Sequence, residues 1–275
     1  MTGIVILNYN NSAQTLECLK TLYEHCKEGT YKVCVVDNAS GQEQLDVLKE
    51  GCREHIIRSD ENGGYARGNN LGLEYLAADP AIDTLLVLND DTRLTSDILT
   101  PMRDHLLSHP ECGAVFPLVK APDGSTDRAC ARRQKSTWDL VLQATCLGRM
   151  GVRRREFLPT ENLQNEKEVC TQVPPGSCMM LRKEDFRRMG FLDPGTFLYF
   201  EEHILAEKLR REGLGCTLLP QLDIIHLGAQ TTKKQPSKAV YRHWRHSYLY
   251  FMEHYTRIPA VLRLLLRLRT LPKAL

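Results

Sequence analysis

Two adjacent carboxylates end a short apolar segment in the first half of the chain. The segment 84–89 reads TLLVLN, and Asp90 and Asp91 follow it directly. A run of branched apolar residues is typical of a strand buried on both faces, and acids placed after it lie where open α/β sheets bind ligands. Two neighbouring carboxylates repel each other unless a cation lies between them, and oxygen ligands suit Mg²⁺ or Mn²⁺. The alternative is a solvated turn in which Asp91 or Ser96 caps the next helix.

Three further ionisable side chains occur at the ends of predicted elements. Glu201 and Glu202 open a predicted helix, and His226 follows a predicted strand. A carboxylate can take a proton from an attacking hydroxyl group, and an imidazole can bind a metal. Structural roles stay open for all three, because acids in a first helical turn also complement the helix dipole and a lone histidine is more often a hydrogen-bonding residue.

The stretch 62–72 reads NGGYARGNNLG and contains paired glycines before a predicted helix. Glycines at this point allow a ligand to approach backbone amides at the start of the helix. The pattern is not G-x-G-x-x-G and follows the third predicted strand instead of the first, which disfavours a dinucleotide-binding fingerprint. The alternative is a plain turn before a helix that packs through Leu71, Leu73 and Leu76.

Strands and helices alternate along the first 120 residues. We predict strands at 3–7, 31–36, 55–58, 84–88 and 113–119, with helices between them. This alternation predicts an α/β fold with a mostly parallel central sheet and helices on both faces. Asn8, Asp37, Asn62 and Asp91 each follow a strand, so we expect them to converge on one sheet edge as a binding crevice.

The pattern weakens between residues 120 and 172. Here we predict a short amphipathic helix from Trp138 to Leu147 and loops that include the basic stretch 149–156 and the polar stretch 160–168, forming one wall of a cleft. Later strands are predicted at 177–181, 216–219 and 222–225. A helix at 184–189 should end at Gly190, a residue type favoured just after a helix.

Composition narrows the class of protein and its location. The 275 residues carry 36 Lys and Arg against 34 Asp and Glu, for a net charge of +2, and the 10 cysteines include no C-x-x-C pair. Scattered cysteines in a chain of this size indicate reduced thiols and a cytoplasmic protein. Met1 leads into an apolar strand without a basic region, so we expect no signal peptide, and no apolar stretch is long enough to span a bilayer.

Basic charge is concentrated at the C-terminus. Residues 231–275 contain ten Lys and Arg and a single acid, Glu253. Aromatic and basic residues interleave at 241–251, and arginines interrupt an apolar helix at 261–269. This pattern favours an anionic membrane surface as the partner, which would place the protein peripherally on the inner face of the cell membrane. The alternative is a helix pair packed on the domain; no recognised nucleic-acid-binding module accompanies the basic residues, so we expect no nucleic-acid partner.

Seven motifs, taken together and in order, resemble the family 2 glycosyltransferases, in particular the bacterial rhamnosyltransferase-like branch. They are IVILNYN at 4–10, VVDNAS at 35–40, NGGYARGNN at 62–70, LNDDT at 88–92, GSCMMLR at 176–182, YFEE at 199–202 and HLG at 226–228. Each is weak alone, and the ordered set is specific. The resemblance implies a GT-A (Rossmann-like) fold over residues 1–230. The basic and aromatic pattern of residues 231–275 predicts a C-terminal amphipathic helical extension after it.

The resemblance also implies roles for individual residues. Glu202 would be the catalytic base with Glu201 beside it, and Asp91 and His226 would bind the metal. The nucleotide-sugar site would comprise Asn8, Asn10, Asp37, Asn62, Gly64, Arg67, Asn69 and Asp90. Two departures from the family pattern occur: Asn89 replaces the first acid of the D-x-D motif, and a Glu-Glu pair replaces the usual Glu-Asp.

The resemblance implies an inverting, metal-dependent glycosyltransferase, and the acids after the predicted strand suit Mg²⁺ or Mn²⁺. The resemblance implies a dTDP- or UDP-linked sugar donor, with rhamnose or a similar sugar moved to a hydroxyl of a lipid-linked bacterial glycan. Two alternatives stay open. One is a membrane-associated partner protein whose catalysis is impaired, and the other is a sugar-nucleotide pyrophosphorylase, which should show a Gly-rich basic loop after its first strand.

Overall fold

The first half of the chain forms four neighbouring parallel strands in the computed structural model, which describes residues 1–143, 157–158, 163–228 and 237–270. Their spatial order is β3-β2-β1-β4. The strands are β1 (Thr2–Asn8), β2 (Tyr31–Asp37), β3 (His55–Arg58) and β4 (Thr84–Asn89), and the helices that connect them are α1 (Ser12–His25), α2 (Gln42–Gly51) and α3 (Gly64–Ala77). All four strands therefore end at one sheet edge.

The second half of the described chain extends this sheet beyond β4 in the order β8-β6-β9-β5, and β7 pairs with β9. The added strands are β5 (Thr92–Leu94), β6 (Cys112–Lys120), β7 (Val169–Thr171), β8 (Cys178–Arg182) and β9 (Gly215–His226). The helices are α4 (Leu99–Ser108), α5 (Thr137–Gln143), α6 (Lys183–Arg188), α7 (Glu201–Arg211), α8 (Ser237–Tyr255) and α9 (Ala260–Arg269). β8 runs antiparallel to both β4 and β6, whereas β6 and β9 are parallel.

The predicted α/β fold with a mostly parallel central sheet is confirmed, and the elements differ from prediction in three places. β5 and β7 were not predicted, because three-residue strands carry no periodic pattern. β9 is one strand where two were predicted. The register against β6 shifts between Pro117 and Leu118, opposite the segment that contains Pro220, and such an irregularity accommodates a proline that cannot donate to the ladder.

The core explains why the central strands are uninterrupted apolar runs. Ile4, Val5 and Ile6 of β1 and Leu85 and Leu86 of β4 are all fully buried, because the sheet is covered on both faces. The nine cysteines within the described residues are unpaired, and burial raises the pKa of several of their thiols.

A second, smaller core joins the C-terminal helices to the rest of the protein. Phe200 and Ile204 from the start of α7 pack with Tyr248, Phe251 and Met252 of α8. The proposed division at residue 230 stays a prediction, and it falls within 229–236, outside the described residues. Also outside them lie the basic stretch 149–156, the end of the predicted helix at 138–147 and part of the polar stretch 160–168.

No helix in the described part of the chain combines the length and apolar character needed to cross a bilayer.

Candidate active site

A cavity of about 370 Å³ opens at the carboxyl ends of β1 and β4, within the size range of small-molecule sites. Five acidic side chains line it together with one arginine and one histidine. They are Asp90, Asp91, Asp127, Glu201, Glu202, Arg132 and His226. So much negative charge in one recess suits a cation and the groups that a cation can bridge.

Asp91 and His226 meet in this cavity although they are far apart in sequence. β5 pairs antiparallel with β9 so that Thr92 lies opposite His226, and the Leu227 amide donates to the Asp91 carbonyl at 2.9 Å. Asp91 Oδ1 then lies 3.2 Å from His226 Nε2. Burial acts to lower the pKa of His226, but the carboxylates of Asp91, Asp127 and Asp90 together outweigh it, so the pKa of His226 is raised.

The donor set of this pair fits a divalent cation. Asp91 Oδ1 is buried, and its close polar neighbour among the described residues is His226 Nε2 at 3.2 Å. In an octahedral site with bonds of about 2.1 Å, adjacent ligand atoms lie about 3 Å apart, close to the observed separation of the two atoms. Asp91 and His226 could therefore bind one cation with little rearrangement.

Asp90 lies beside this pair in a protected environment. Its Oδ2 accepts a hydrogen bond from Asn11 Nδ2 at 3.1 Å. Burial, and then the charge of Asp91, raise the pKa of Asp90 to about 7. Two carboxylates this close repel each other when both are ionised, and a bound cation would relieve that repulsion.

Glu201 and Glu202 occupy the first turn of α7 on another wall of the cavity. Burial and the neighbouring Glu202 raise the pKa of Glu201, whose Oε1 is buried and has no hydrogen-bond partner in the part of the chain that the structure describes. Burial also acts to raise the pKa of Glu202, but the Arg132 guanidinium outweighs it, so the pKa of Glu202 is lowered. The environment thus assigns different protonation states to the two acids, as a site for proton transfer requires.

Three residues from elsewhere in the chain surround the Glu202 carboxylate. Arg132 Nη2 lies 3.4 Å from Glu202 Oε1 and also donates to the Pro174 carbonyl at 3.1 Å. A Cβ at Gly176 would lie 3.1 Å from the same Oε1, so a larger residue there would press on the Glu202 carboxylate. Tyr65 donates its hydroxyl to the Gly176 carbonyl at 2.5 Å and fixes that segment.

Asn8 and Asp37 form a fully buried network beneath the cavity. Asn8 Nδ2 donates to Asp37 Oδ1 at 2.9 Å and to Ser40 Oγ at 3.2 Å, and its Oδ1 accepts from Thr15 Oγ1 at 3.1 Å. Asn10 accepts from the Gly41 amide at 2.8 Å. These contacts connect the ends of β1 and β2 and support the cavity floor, and direct contact of Asn8, Asn10 or Asp37 with a nucleotide stays a prediction.

Asn62 and Gly64 line the cavity, whereas Arg67 and Asn69 do not. Asn62 Oδ1 accepts hydrogen bonds from Asn38 Nδ2 at 2.9 Å and from the Gly64 amide at 3.0 Å. Arg67 is exposed, and its Nε donates to the Pro194 carbonyl at 3.2 Å. Asn69 is buried in α3, where its Nδ2 donates to the Tyr65 carbonyl at 2.9 Å. Nucleotide binding by these four residues stays a prediction.

The sequence reasoning missed several residues that line the cavity. Tyr65 lies inside the motif at 62–70, but a tyrosine in a helical pattern does not indicate which side chains it will contact. Asp127 and Arg132 lie in the weakly patterned middle region, and they reach the cavity only through pairing at the end of β6 and isolated bridges from Arg132 to Phe157 and Val173. No local signal marks such positions.

A different cluster of potential metal ligands lies elsewhere. His105, His109 and Glu168 hold ligand atoms within 4.8 Å of one another, and none of the three lines the cavity. The two imidazole rings stack with centroids 4.1 Å apart, and burial lowers the pKa of His105. This cluster contributes nothing to the cavity chemistry.

A family model described as "Glycosyl transferase family 2" matches residues 3–190. This range includes β1 to β8 and α1 to α6, and thus the acids after β4.

Curated relatives are similar over most of their length. The chain is 25% identical over 253 residues to the low-salt glycan biosynthesis hexosyltransferase Agl10 of Haloferax volcanii, covering 90% of this chain and 74% of that protein. It is 24% identical over 246 residues to the N-acetylglucosaminyl-diphospho-decaprenol L-rhamnosyltransferase of Mycobacterium tuberculosis, covering 83% of this chain and 77% of that protein.

A solved structure shares the fold. The crystal structure of GalNAc-T7 with UDP, GalNAc and Mn²⁺ superposes with a TM-score of 0.63 at 14% identity, covering 98% of this chain. The chain spans about half, 54%, of that longer protein. The shared architecture is the GT-A fold.

Proposed function

The chain belongs to glycosyl transferase family 2, as a glycosyltransferase with rhamnosyltransferase relatives, and we propose that it is an inverting, metal-dependent enzyme of lipid-linked glycan assembly. In this proposal it moves rhamnose or a similar sugar from a dTDP- or UDP-linked donor to an acceptor hydroxyl. One observation carries the proposal: Asp91, His226 and Glu202 line one cavity at the carboxyl ends of parallel strands.

We assign Asp91 and His226 as the residues that would hold a divalent cation, with Asp90 beside them. A cation bound there would neutralise charge that grows on the departing nucleotide diphosphate. The burial of Asp91 Oδ1 and its 3.2 Å separation from His226 Nε2 support this assignment. Mn²⁺ in the GalNAc-T7 structure is consistent with a cation in this fold.

We assign Glu202 as the base that takes the proton of the acceptor hydroxyl. A base must be ionised before the reaction, and Arg132 favours the ionised form of Glu202. Displacement assisted by one base on the face opposite the leaving group inverts the anomeric carbon, whereas retention through a covalent intermediate would need a nucleophile against that carbon. Glu201, which burial keeps protonated, is suited to donate a hydrogen bond within the site.

The acceptor assignment follows the rhamnosyltransferase relative. Its name describes an N-acetylglucosaminyl-diphospho-decaprenol acceptor, and a lipid-linked acceptor requires access to a membrane surface. The exposed face of α9 fits such a surface. Val261, Leu264 and Leu268 are 73%, 58% and 57% exposed, while Leu266 on another side of the helix is buried. Arginines on the same helix complement anionic lipids.

Of the two alternatives, the pyrophosphorylase is set aside by membership of a glycosyltransferase family. A partner protein with impaired catalysis would need a disabled site. The two departures from the family pattern leave carboxylates in the cavity. Asn89 lines it beside Asp90 and Asp91, and Glu202 supplies a carboxylate next to Arg132.

A donor screen tests the proposal. Purified protein is incubated with dTDP-rhamnose and a panel of UDP-sugars, with and without Mn²⁺ or Mg²⁺, and with an N-acetylglucosaminyl diphosphate of a short-chain polyprenol as acceptor. We expect cation-dependent release of the nucleotide diphosphate with one donor and a product of the opposite anomeric configuration by NMR. Glu202→Gln should abolish transfer while nucleotide binding persists. Absence of transfer with every donor, together with absence of nucleotide binding, would contradict the proposal.

The membrane assignment has a separate test. Vesicles of phosphatidylcholine, with or without phosphatidylglycerol, are sedimented with the wild type and with a Leu264→Ser/Leu268→Ser variant. We expect wild-type protein to sediment with the anionic vesicles and the variant to remain in the supernatant. Equal sedimentation of both proteins would exclude α9 as the contact face.

A further inference from the structure

The segment 193–200, which we call the 193–200 loop, leads directly into the Glu201–Glu202 pair. Phe197, Leu198 and Tyr199 of this loop line the cavity. The position of Glu202 therefore depends on how the loop is held, and two helices hold it from opposite sides.

On one side, the N-terminal half of α3 contacts the chain along and just before the loop. The Tyr65 amide donates to the Phe197 carbonyl at 2.9 Å, and Asn70 Nδ2 donates to the Leu192 carbonyl at 2.8 Å. Gly64 has a φ of +80°, and a Cβ there would lie 2.2 Å from the Phe197 carbonyl oxygen. The glycine of this motif thus permits a close approach of two backbone segments of the protein, where a ligand was expected.

On the other side, α8 contacts the beginning of the loop through two tyrosines. Tyr250 donates its hydroxyl to Asp193 Oδ1 at 2.9 Å, and the Tyr255 hydroxyl bonds to Asp193 Oδ2. The Tyr250 ring also covers Gly195, where a Cβ would lie 2.0 Å from the ring. Burial acts to raise the pKa of Asp193, but these hydrogen bonds and the one from the Gly195 amide lower it, so both tyrosines bond to an ionised carboxylate.

The same helix contacts the end of the loop. Ser247 Oγ donates to the Leu198 carbonyl at 2.8 Å, and the His243 ring stacks on Phe197 with centroids 4.4 Å apart. Phe200 packs among the rings of Trp244, Tyr248 and Phe251. One helix therefore contacts the loop from Asp193 to Phe200.

The loop needs this support because its last two residues adopt an unfavourable backbone conformation. Tyr199 and Phe200 have φ of 75° and 71°, in the left-handed region that non-glycine residues rarely occupy. Two consecutive residues of this kind persist only where surrounding contacts determine them. Their conformation sets the direction in which α7 begins, and so the direction of the Glu202 side chain.

We propose that Tyr250 and Tyr255 of α8 are positioning residues for the transfer reaction, which they support by holding Asp193 and, through the 193–200 loop, the Glu202 carboxylate. This inference rests on the proposed role of Glu202. It assigns α8 a part in the transfer reaction, although none of the residues that line the cavity belongs to α8.

The test compares a Tyr250→Phe/Tyr255→Phe variant with the wild type in the transfer assay above. Both rings remain and only the hydroxyls are lost, so the small core should persist. We expect kcat to fall by about tenfold, since displacement of a reacting group by a fraction of an ångström has effects of this order, while KM for the donor changes less than twofold. Binding of the nucleotide diphosphate in the presence of Mn²⁺, measured by calorimetry, should equal that of the wild type.

A matched control and a graded variant separate positioning from general stability. Tyr23→Phe removes a tyrosine hydroxyl that donates to Glu54 Oε1 at 2.7 Å on α1, far from the loop, and should leave kcat unchanged. Asp193→Asn keeps an oxygen acceptor for one tyrosine, so its kcat should lie above that of Asp193→Ala. Assays are run well below the melting temperature of each variant.

Three results are decisive. A double variant with wild-type kcat overturns the inference, as does a loss of kcat matched by an equal loss of nucleotide binding. Equal kcat for Asp193→Asn and Asp193→Ala would also contradict it. If the wild type transfers sugar and Glu202→Gln is inactive, the proposed function stands whatever the tyrosine variants show, so the two failures can be told apart.

Discussion

Replacement of Gly64 by alanine tests how the 193–200 loop is placed, and the structure supplies a matched control. Gly64 and Gly29 have almost the same φ, +80° and +83°. An alanine in this region costs about 1–2 kcal/mol at either site. For a protein of this size, each kcal/mol lowers the melting temperature by roughly 2–4 °C, so both variants should melt a few degrees below the wild type.

The two sites differ in what the new methyl group meets. At Gly29 nothing lies within 4 Å, whereas at Gly64 the methyl carbon would lie 2.2 Å from the Phe197 carbonyl oxygen. A normal carbon–oxygen contact is about 3.3 Å, so the loop must move by about 1 Å. A displacement of that size next to a catalytic group costs about 100-fold in rate. We therefore expect Gly64→Ala to lose about 100-fold in kcat and Gly29→Ala to retain the wild-type value.

The assay is sugar transfer at saturating donor, with melting temperatures measured on the same preparations. A Gly64→Ala variant that keeps more than half of the wild-type rate would refute the reasoning. A Gly29→Ala variant that loses as much rate as Gly64→Ala would refute it too, because the backbone cost alone would then explain the loss.

Three further predictions concern charged groups. Asp91→Asn should remove the Mn²⁺ dependence of nucleotide binding measured by calorimetry, because Asp91 would supply the buried carboxylate oxygen that faces His226. Retention of that dependence would exclude Asp91 as a ligand. Burial and Glu202 raise the pKa of Glu201, so the folded state holds a proton that the unfolded state releases above pH 4.5, and the stability of the wild type should fall as pH rises from there through the folded pKa. Glu201→Gln should flatten this decline in melting temperature between pH 5 and 9. An unchanged slope would contradict the raised pKa of Glu201. Arg182 donates to the carbonyls of Leu106 at 2.7 Å and Pro110 at 2.9 Å. Arg182→Met should therefore lower the free energy of unfolding, measured in urea, by about 3 kcal/mol. A loss below about 1 kcal/mol would show that the two carbonyls find other donors.

The strands of the first half were predictable because their physics is local. β1, β2 and β4 each contain a run of at least four apolar residues that ends at a polar residue, and the structure places each strand within one or two residues of its prediction. Since strand direction follows from strand–helix alternation, the convergence of their ends on one edge was predictable too. β5 and β7 were not, because three residues pair only when β9 is already in place.

The site could be predicted only in part, because some of its contacts form only in the tertiary structure. Asp91, Glu202 and His226 carry chemical signatures in short motifs, and all three line the cavity. Arg132 approaches Glu202 through tertiary pairing alone, and no spacing in the sequence indicates that contact. The sequence predicted that a ligand approaches the backbone at Gly64, whereas in the structure the Phe197 carbonyl lies close to it. A glycine indicates that some group approaches closely, but the sequence does not indicate which group.

The left-handed residues Tyr199 and Phe200 bear on how the enzyme matures at the ribosome. Domains assemble from the N-terminus as the nascent chain emerges, so the sheet can form while α8 is still unmade. The rings of Trp244, Tyr248 and Phe251, which pack around Phe200, are translated after α7, so until α8 emerges the backbone geometry of Phe200 lacks their support. The wall of the cavity that carries Glu202 would therefore take its shape only after α8 has been translated, later than the wall formed at the ends of β1 and β4.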